Sequence, residues 1–209
     1  LEFLSYYNLN YVLTFVCFFG LINAFNFIDG VDGLCGSVFL TLFSFAFIIF
    51  GSIINNFYII TIIPVVIFLI YNLNLIKEKQ LFLGDSGSIF LGLVLSCILI
   101  YFSQIDYLSN SPIVCWLVAI PVFDLLFCFI NRALKQSNPF KPDKSHLHHR
   151  LIYSGFSHLQ IVLIFFLLNL FSLLLGILIV NYSLDYNYHF FFLYFLIYYL
   201  LIMIKFNQY

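Results

Sequence analysis

The chain has 209 residues, of which 64% are hydrophobic and only 8% are charged, and its formal net charge is −1. A soluble domain of this length carries about 25% charged residues. The composition therefore argues against a water-soluble globule and indicates a bundle of transmembrane helices. The five cysteines form no CxxC pair, and most lie in apolar runs, which indicates packing rather than a metal site or a disulfide framework.

Seven apolar segments predict an all-α, multi-pass transmembrane helix bundle that forms one integral-membrane domain over residues 1–209. Each is close to the roughly 20 residues that a helix needs to cross the hydrocarbon core. Short polar turn sequences such as Asn55-Asn56 separate them. In chain order, the predicted segments are 10–27, 34–51, 56–74, 87–105, 112–132, 158–181 and 188–206.

The cations predict the orientation of this bundle. Every Lys and Arg follows an odd-numbered segment, whereas the opposite side carries Glu2, Asp106 and Asp185. Because short loops rich in Lys and Arg stay in the cytoplasm, we expect the N-terminus outside, the C-terminus in the cytoplasm and a cytoplasmic histidine-containing loop at 133–157. The cations are Lys77, Lys79, Arg132, Lys135, Lys141, Lys144, Arg150 and Lys205.

The first polar segment is NAFNFIDGVDG, residues 23–33, which places two amides and two carboxylates at a predicted helix end. An Asp at the bilayer centre costs roughly 2.5–3.5 kcal/mol, so such residues usually face a polar cavity and mark function. Two Asp-Gly steps are also ordinary turn chemistry. The segment alone leaves both interpretations open.

The second polar segment, FLGDSGS, occupies residues 82–88 before the fourth apolar segment. Asp85 or Ser86 is a natural N-cap for the helix that follows. The functional alternative is a helix N-terminus presented to phosphate, with Asp85 holding a divalent cation.

The third polar segment runs from Asp124 and Arg132 to the sequence NPFKPDKSHLHHR, residues 138–150. Three histidines within four residues, beside several cations, are difficult to explain as packing. A zinc site and a surface patch for anionic lipids are the alternatives. The positive surroundings and the absence of paired cysteines favour a polyanionic substrate such as a pyrophosphate.

Taken together, NAFNFIDGVDG, FLGDSGS and PVFD followed by NPFKPDKSHLHHR resemble, in this order, the polyprenyl-phosphate N-acetylhexosamine-1-phosphate transferases. The His-x-His-His form is similar to the branch that makes undecaprenyl-linked N-acetylglucosamine for O-antigen, common antigen or teichoic acid. The resemblance implies transfer of a sugar 1-phosphate from a UDP-sugar to undecaprenyl phosphate with release of UMP, the initiating step of cell-envelope polysaccharide synthesis. It also implies a Mg²⁺ or Mn²⁺ requirement and an active site on the cytoplasmic face of the inner membrane, with no nucleic-acid partner and with a homodimer as a compatible assembly.

The resemblance also implies roles for individual residues. Asp85 would be the Mg²⁺ ligand, and Arg132 would neutralise the leaving pyrophosphate. The three histidines would meet the diphosphate or the sugar phosphate, and Asp124 fits a family position without an assigned role. The implied catalytic residues are Asp29, Asp85, His146, His148 and His149. The implied substrate-binding residues are Asn26, Gly30, Val31, Asp32, Asn72, Phe82, Asp124 and Arg132, with 29–32 at the uridine end and Phe82 and Asn72 near the uracil.

Members of that family have further helices before the first matching segment and an Asp-Asp motif in a cytoplasmic loop. This sequence contains no Asp-Asp pair, begins at Leu1 and has Met203 as its only methionine. We therefore expect an additional N-terminal part. Two other functions stay open: a non-catalytic remnant or nucleotide-binding subunit, and a transporter that uses the same intramembrane carboxylates.

Overall fold

The computed structural model describes residues 9–50, 55–76, 80–103, 112–136, 138, 145–182 and 186–206, and all regular structure in these residues is helical. This agrees with the all-α prediction. The helices are α1 (Leu9–Ile28), α2 (Leu34–Phe50), α3 (Asn55–Asn72), α4 (Gly84–Ser103), α5 (Ile113–Leu117), α6 (Ala119–Leu134), α7 (Leu147–Tyr153), α8 (His158–Tyr182) and α9 (Asn187–Lys205).

Within the part of the chain that the structure describes, three helices are long and apolar enough to cross a membrane by length and composition, namely α4, α8 and α9. Shorter apolar helical stretches cover Thr14–Ile28, Leu34–Phe50 and Asn56–Asn72. Large apolar side chains face outward along these helices. On α9, for example, Leu200, Leu201 and Ile204 are more than half exposed. An apolar exterior of this kind suits contact with lipid, since a soluble protein rarely exposes so large a continuous apolar surface.

The predicted segment 112–132 differs from the structure, because it is divided between α5 and α6 at Val118 (φ −100°, ψ 11°). Pro121 is the reason. It has no N–H to donate to the carbonyl of Leu117, and its ring would collide with that carbonyl in a continuous helix. As the third residue of α6, the same proline lies in a first turn, where a missing N–H costs little.

The central packing contact joins α1 to α4. Ser88, Gly92 and Ser96 follow one another at four-residue intervals and form a stripe of small residues along α4. A Cβ on Gly92 would lie 2.9 Å from the Cα of Ile22 on α1, so the two backbones approach too closely for a larger residue. Small residues of this kind allow close helix contact in membranes, where the hydrophobic effect does not drive helices together. The contact aligns the end of α1 with the start of α4.

A second buried contact joins α5, α8 and α9. The indole Nε1 of Trp116 donates to Asn187 Oδ1 at 2.6 Å, and Ser172 Oγ donates to the Trp116 carbonyl at 2.9 Å. A Cβ on Gly176 would lie 2.5 Å from Cβ of Trp116 and 2.9 Å from Cδ2 of its ring, so glycine makes room for the indole. We call Trp116, Ser172, Gly176 and Asn187 the tryptophan cluster.

Candidate functional site

The last part of the first polar segment forms a short loop, 29–33. The side-chain amide of Asn72 connects this loop to another part of the chain. Gly33 N donates to Asn72 Oδ1 at 2.5 Å, and Asn72 Nδ2 donates to the Leu81 carbonyl at 2.7 Å. Gly33 has φ +79°, a left-handed conformation that favours glycine. Asn72 is buried. It therefore holds the loop against the segment that leads into α4.

Another amide joins α1 to the start of α4. Asn26 Nδ2 lies 3.1 Å from Ser88 Oγ and 3.5 Å from Asp85 Oδ1. Asp85 is exposed in the first turn of α4, where the helix dipole favours a negative charge. The first and second polar segments, far apart in sequence, are thus brought together at one end of the bundle.

The carboxylates of Asp29, Asp32 and Asp85 lie near one another at this end of the bundle, so their negative charges repel. Burial raises the pKa of Asp29 from its ordinary 3.8 to about 6, and the negative charges of Asp85 and then Asp32 act in the same direction. A divalent cation would relieve this repulsion. Among the described residues these carboxylates do not by themselves form a group of three metal ligands. Mg²⁺ usually takes one or two carboxylates and completes its shell with phosphate and water.

The histidine-containing segment is held by Asp124, which is 1% exposed. Asp124 Oδ2 lies 2.8 Å from His146 Nδ1, and Asp124 Oδ1 accepts a hydrogen bond from Leu147 N at 2.8 Å. The second contact satisfies a free N–H in the first turn of α7. Cys128 lies one helical turn after Asp124, and the carboxylate, thiol and imidazole lie within 4.8 Å of one another. The direct bond between Asp124 and His146 already accounts for this cluster.

Arg150 fixes the other end of α7. Its Nε donates to the Ser145 carbonyl at 2.7 Å, and its terminal nitrogen donates to the Phe206 carbonyl at 3.1 Å. Its guanidinium also lies 5.0 Å from the centroid of the Phe127 ring. Arg150 is 3% exposed. Its role is therefore to attach α7 to α6 and to the end of α9, rather than to meet a substrate.

A cleft lies between loop 29–33 and α7. Asp29, directly after α1, is the acidic group of the lining, and Arg132 of α6 is its cationic group, beside the imidazoles of His146 and His149. An anion-binding guanidinium and a carboxylate that can help to hold a cation thus share one cleft, an arrangement suited to a metal-bound diphosphate. The lining residues are Asn26, Phe27, Asp29, Gly30, Arg132, His146 and His149.

His148 differs from the two cleft-lining histidines of the segment because it is fully buried and does not line the cleft. Neither of its ring nitrogens has a hydrogen-bond partner within the described part of the chain. Burial lowers its pKa to about 3, against an opposing effect of Asp124, so the ring is neutral. A Cβ on Gly30 would lie 2.7 Å from His148 Nε2. His148 therefore packs directly on the first Asp-Gly step.

The remaining residues that the sequence pointed to are not among those that line the cleft. Val31 is buried, and Phe82 is 74% exposed before α4. Asp32 Oδ2 lies 3.2 Å from His158 Nδ1 at the start of α8. Asn72 uses its amide for the backbone contacts described above. Asp85 reaches the cleft through Asn26.

No individual role was predicted from the sequence for Phe27, Ser88, Arg150 or His158, although the first three lie in the polar segments. Phe27 packs its ring 5.2 Å from that of His146, and only the fold brings the two together. A local signal did exist for His158. Ser157 and Gln160 form a capping box, in which Ser157 N donates to Gln160 Oε1 at 2.8 Å and Gln160 N donates to Ser157 Oγ at 3.4 Å. That pattern predicts a helix start beside His158.

Comparison with known proteins adds an independent result. Residues 2–103 match the family model described as glycosyl transferase family 4. That range contains the first and second polar segments. The chain belongs to glycosyl transferase family 4. No solved structure gives a significant match.

Three relatives indicate which members of the family this chain is similar to. The probable undecaprenyl-phosphate N-acetylglucosaminyl 1-phosphate transferase of Bacillus subtilis is 35% identical over 165 residues, which are 76% of this chain and 45% of that protein. The undecaprenyl-phosphate alpha-N-acetylglucosaminyl 1-phosphate transferases of Yersinia pestis and Escherichia coli K12 are each 31% identical over 156 residues. Those residues are 72% of this chain, and 43% and 42% of the respective relatives. The chain thus spans less than half the length of the relatives it matches.

Proposed function

We propose that this chain carries the donor and metal side of an enzyme that transfers a sugar 1-phosphate, most simply N-acetylglucosamine 1-phosphate, from a UDP-sugar to undecaprenyl phosphate. UMP is the other product. The observation that carries the proposal is the cleft in which Asn26 and Asp29 face Arg132, His146 and His149. The names of the relatives supply the lipid acceptor and the sugar phosphate.

The charges of the cleft support this chemistry. Phosphoryl transfer depends mostly on positioning and on neutralising negative charge. Arg132 is 7% exposed and lines the cleft, where a guanidinium can donate two parallel hydrogen bonds to a phosphate. His146 and His149 add ring nitrogens on the same side. In this proposal, Arg132 holds the diphosphate of the donor, and the two histidines border it.

Asp85 would hold Mg²⁺ or Mn²⁺ together with phosphate oxygens. The ion, when bound, would neutralise the diphosphate and the leaving UMP. The unfavourable crowding of Asp29, Asp32 and Asp85 supports a cation at this place. Residues 29–32 would border the nucleoside, and Asn72 would hold that loop in position through Gly33. Phe82, exposed before α4, would be available to stack on the uracil.

The membrane arrangement in this proposal has seven passes, with α5 and α6 together making the fifth. The site lies on the cytoplasmic face of the cell membrane, because the cations follow the odd-numbered segments. A lipid phosphate can then approach along the bilayer while the nucleotide sugar enters from the cytoplasm. The reaction would begin the assembly of an envelope polysaccharide.

The test is a transferase assay on membranes that contain the protein encoded by the complete reading frame. We expect release of UMP from UDP-N-acetylglucosamine only when both undecaprenyl phosphate and Mg²⁺ are present. Asp85→Asn should reduce release by at least about 100-fold, because the loss of a charged metal ligand removes transition-state stabilisation.

Ser86→Ala is the matched control, since Ser86 is also exposed in the first turn of α4 but carries no charge. It should keep nearly full activity. Full activity in Asp85→Asn would contradict the metal assignment. UMP release that does not depend on the lipid phosphate would contradict the acceptor.

A further inference from the structure

Asp124 makes contacts of a kind that determine the proton position on a neighbouring histidine. It is 1% exposed. Oδ1 lies 2.8 Å from Leu147 N, and Oδ2 lies 2.8 Å from His146 Nδ1. The Tyr198 hydroxyl lies 3.5 Å from Oδ1. Asp124 itself stays behind the cleft, whose lining does not include it.

The donor and acceptor roles in this cluster follow from elementary chemistry. A backbone N–H can only donate, and an ionised carboxylate can only accept. Since Asp124 Oδ2 is an acceptor, the hydrogen in its contact with His146 must reside on Nδ1. A neutral imidazole with its hydrogen on Nδ1 carries a lone pair on Nε2. Because His146 lines the cleft while Nδ1 faces Asp124, Nε2 is the nitrogen left for the cleft.

We propose that Asp124 is a positioning residue that fixes the Nδ1–H tautomer of His146 and so presents His146 Nε2 to the cleft as a hydrogen-bond acceptor. This deepens the proposed function and rests on it for the activity test. It gives His146 a different task from Arg132, which can only donate. Nε2 accepts a hydrogen bond from a substrate hydroxyl, or it takes the proton of a P–OH group on the attacking lipid phosphate and returns it to the phosphate of the departing UMP. The Phe27 ring, 5.2 Å from the His146 ring, helps to keep the imidazole in this orientation.

Asp124→Asn gives a sharp test because it changes the shape very little but removes one acceptor. The backbone N–H of Leu147 must still be satisfied, and the single oxygen of the new amide can do this. The amide nitrogen then faces His146 as a donor, so Nδ1 must become the acceptor and the hydrogen must move to Nε2. The substitution should therefore reverse the tautomer rather than merely weaken a contact.

The first measurement is nitrogen-15 nuclear magnetic resonance of histidine-labelled, full-length protein at a pH where His146 is neutral. The His146 signals are assigned by their loss in His146→Gln. We expect the Nδ1–H tautomer in the unaltered protein and the Nε2–H tautomer in Asp124→Asn. A proton on Nε2 in the unaltered protein overturns the proposal without any variant. So does an unchanged tautomer in folded Asp124→Asn.

A rescue variant tests the reasoning more closely. Leu147 is the first residue of α7, and His146 has φ −57° and ψ 148°, a conformation that suits a residue before proline. Leu147→Pro removes the N–H that occupies the single amide oxygen in Asp124→Asn. The two substitutions together should return the Nδ1–H tautomer, with Leu147→Pro alone as the control for the lost side chain. Failure of the combined variant to restore that tautomer would contradict the proposed competition for one oxygen.

The second measurement is turnover. Asp124→Asn should lower the turnover number by about 100-fold, the range typical of a misdirected acid–base group, while the KM for UDP-N-acetylglucosamine changes by less than about threefold. Asp124→Asn with His146→Ala should be no slower than His146→Ala alone, because both changes act through one imidazole. Ser172→Ala, a buried polar change in the tryptophan cluster, should leave turnover unaltered.

Additive losses in the double variant would show that Asp124 does not act through His146 and would overturn the proposal. The two hypotheses fail in different ways. If the unaltered protein releases no UMP from a UDP-sugar, the proposed function fails, and the tautomer measurement still decides the role of Asp124.

Discussion

Two buried polar clusters among the described residues differ in charge and in what surrounds them. The site cluster consists of Asp124, Arg132, His146, His148 and Arg150, and it borders an open cleft. The tryptophan cluster consists of neutral groups that bond chiefly to each other across α5, α8 and α9. Burying a charge costs far more than burying an amide.

This difference indicates which of the two clusters has a functional role. The tryptophan cluster can be explained by packing, since a ring, a hydroxyl and an amide oxygen bond to one another across the helices and none of them is charged, although Asn187 Nδ2 has no partner among the described residues. Packing does not explain the site cluster, in which two arginines and a carboxylate are buried beside a neutral His148 whose ring nitrogens have no partner among the described residues. Charged groups held next to a cleft are the usual arrangement of a binding or catalytic site.

Of the substitutions that test this difference between the clusters, Arg132→Ala should have the largest effect, and it should act on the KM for the UDP-sugar. Because it removes a charged donor from the cleft, we expect the KM for the UDP-sugar to rise by about 10- to 100-fold, which corresponds to a lost hydrogen bond to a charged group. The melting temperature should change little by comparison. Steady-state kinetics with varied UDP-N-acetylglucosamine measure the effect.

Lys135→Ala is the control for Arg132→Ala, since Lys135 is an exposed cation directly after α6 and outside the cleft lining. Its KM should stay within about twofold of the unaltered value. Equal effects of the two substitutions would mean that overall positive charge, rather than the position of Arg132, holds the donor.

Gly30→Ala tests the contact between loop 29–33 and His148. The φ of Gly30 lies outside the left-handed region, so alanine causes no backbone strain there and tests only the available space. The added Cβ would lie 2.7 Å from His148 Nε2. Overpacking typically costs about 1–3 kcal/mol, and we expect turnover to fall about tenfold as the His148 ring is displaced. Gly30→Ala combined with His148→Ala should be no slower than His148→Ala alone. Independent, additive losses would contradict the contact.

Gly176→Ala tests the tryptophan cluster. The new Cβ would lie 2.5 Å from Cβ of the buried Trp116, so the unfolding free energy should fall by about 1–3 kcal/mol. Turnover per folded molecule should stay the same, in contrast to the changes in the cleft. Gly20→Ala is the matched control, because a Cβ there meets nothing within 4 Å. Thermal unfolding in detergent gives the measurement, and equal effects at the two glycines would contradict this role for Gly176.

Asp29→Asn should have the smallest effect, and one that depends on pH. The folded pKa of Asp29, about 6, lies above its ordinary value of 3.8, so ionising it costs stability. Its stabilising contribution is complete below about pH 4 and is lost as the pH rises through about 6. Asp29→Asn should therefore melt at a slightly higher temperature than the unaltered protein at about pH 7.5 and at a similar temperature at about pH 4.

Asp85→Asn provides a second test of the Asp29 experiment. The charge of Asp85 is the second-largest cause of the raised pKa of Asp29, after burial. The substitution should move the midpoint of the pH-dependent difference to lower pH. A melting temperature of Asp29→Asn that tracks that of the unaltered protein across this pH range would contradict the burial and repulsion described here.

The class of fold and most helix limits could be predicted from the sequence alone. The predicted segments 34–51 and 188–206 agree with α2 and α9 to within about one residue, because apolar runs bounded by polar turns leave few other solutions in lipid. The sequence also pointed to the first and second polar segments, and residues 2–103, which contain both, indeed match a transferase family. The interruption of the fifth segment at Val118 followed from Pro121, whose effect hydropathy alone does not register.

The different tasks of the polar residues could not be predicted from the sequence and follow from the packing of the helices. HLHH is a single motif in sequence, yet His146 and His149 line the cleft while His148 is buried against Gly30. Asp124 lies 22 residues before His146, and no local pattern predicts that its carboxylate bonds to that ring. The physical reason is that such contacts depend on how α1, α6 and α7 pack against one another. The spacing of residues along one helix does not determine that geometry. The same residue type can therefore bind a ligand, position a neighbouring side chain or pack in the core, depending on the neighbours that the fold provides.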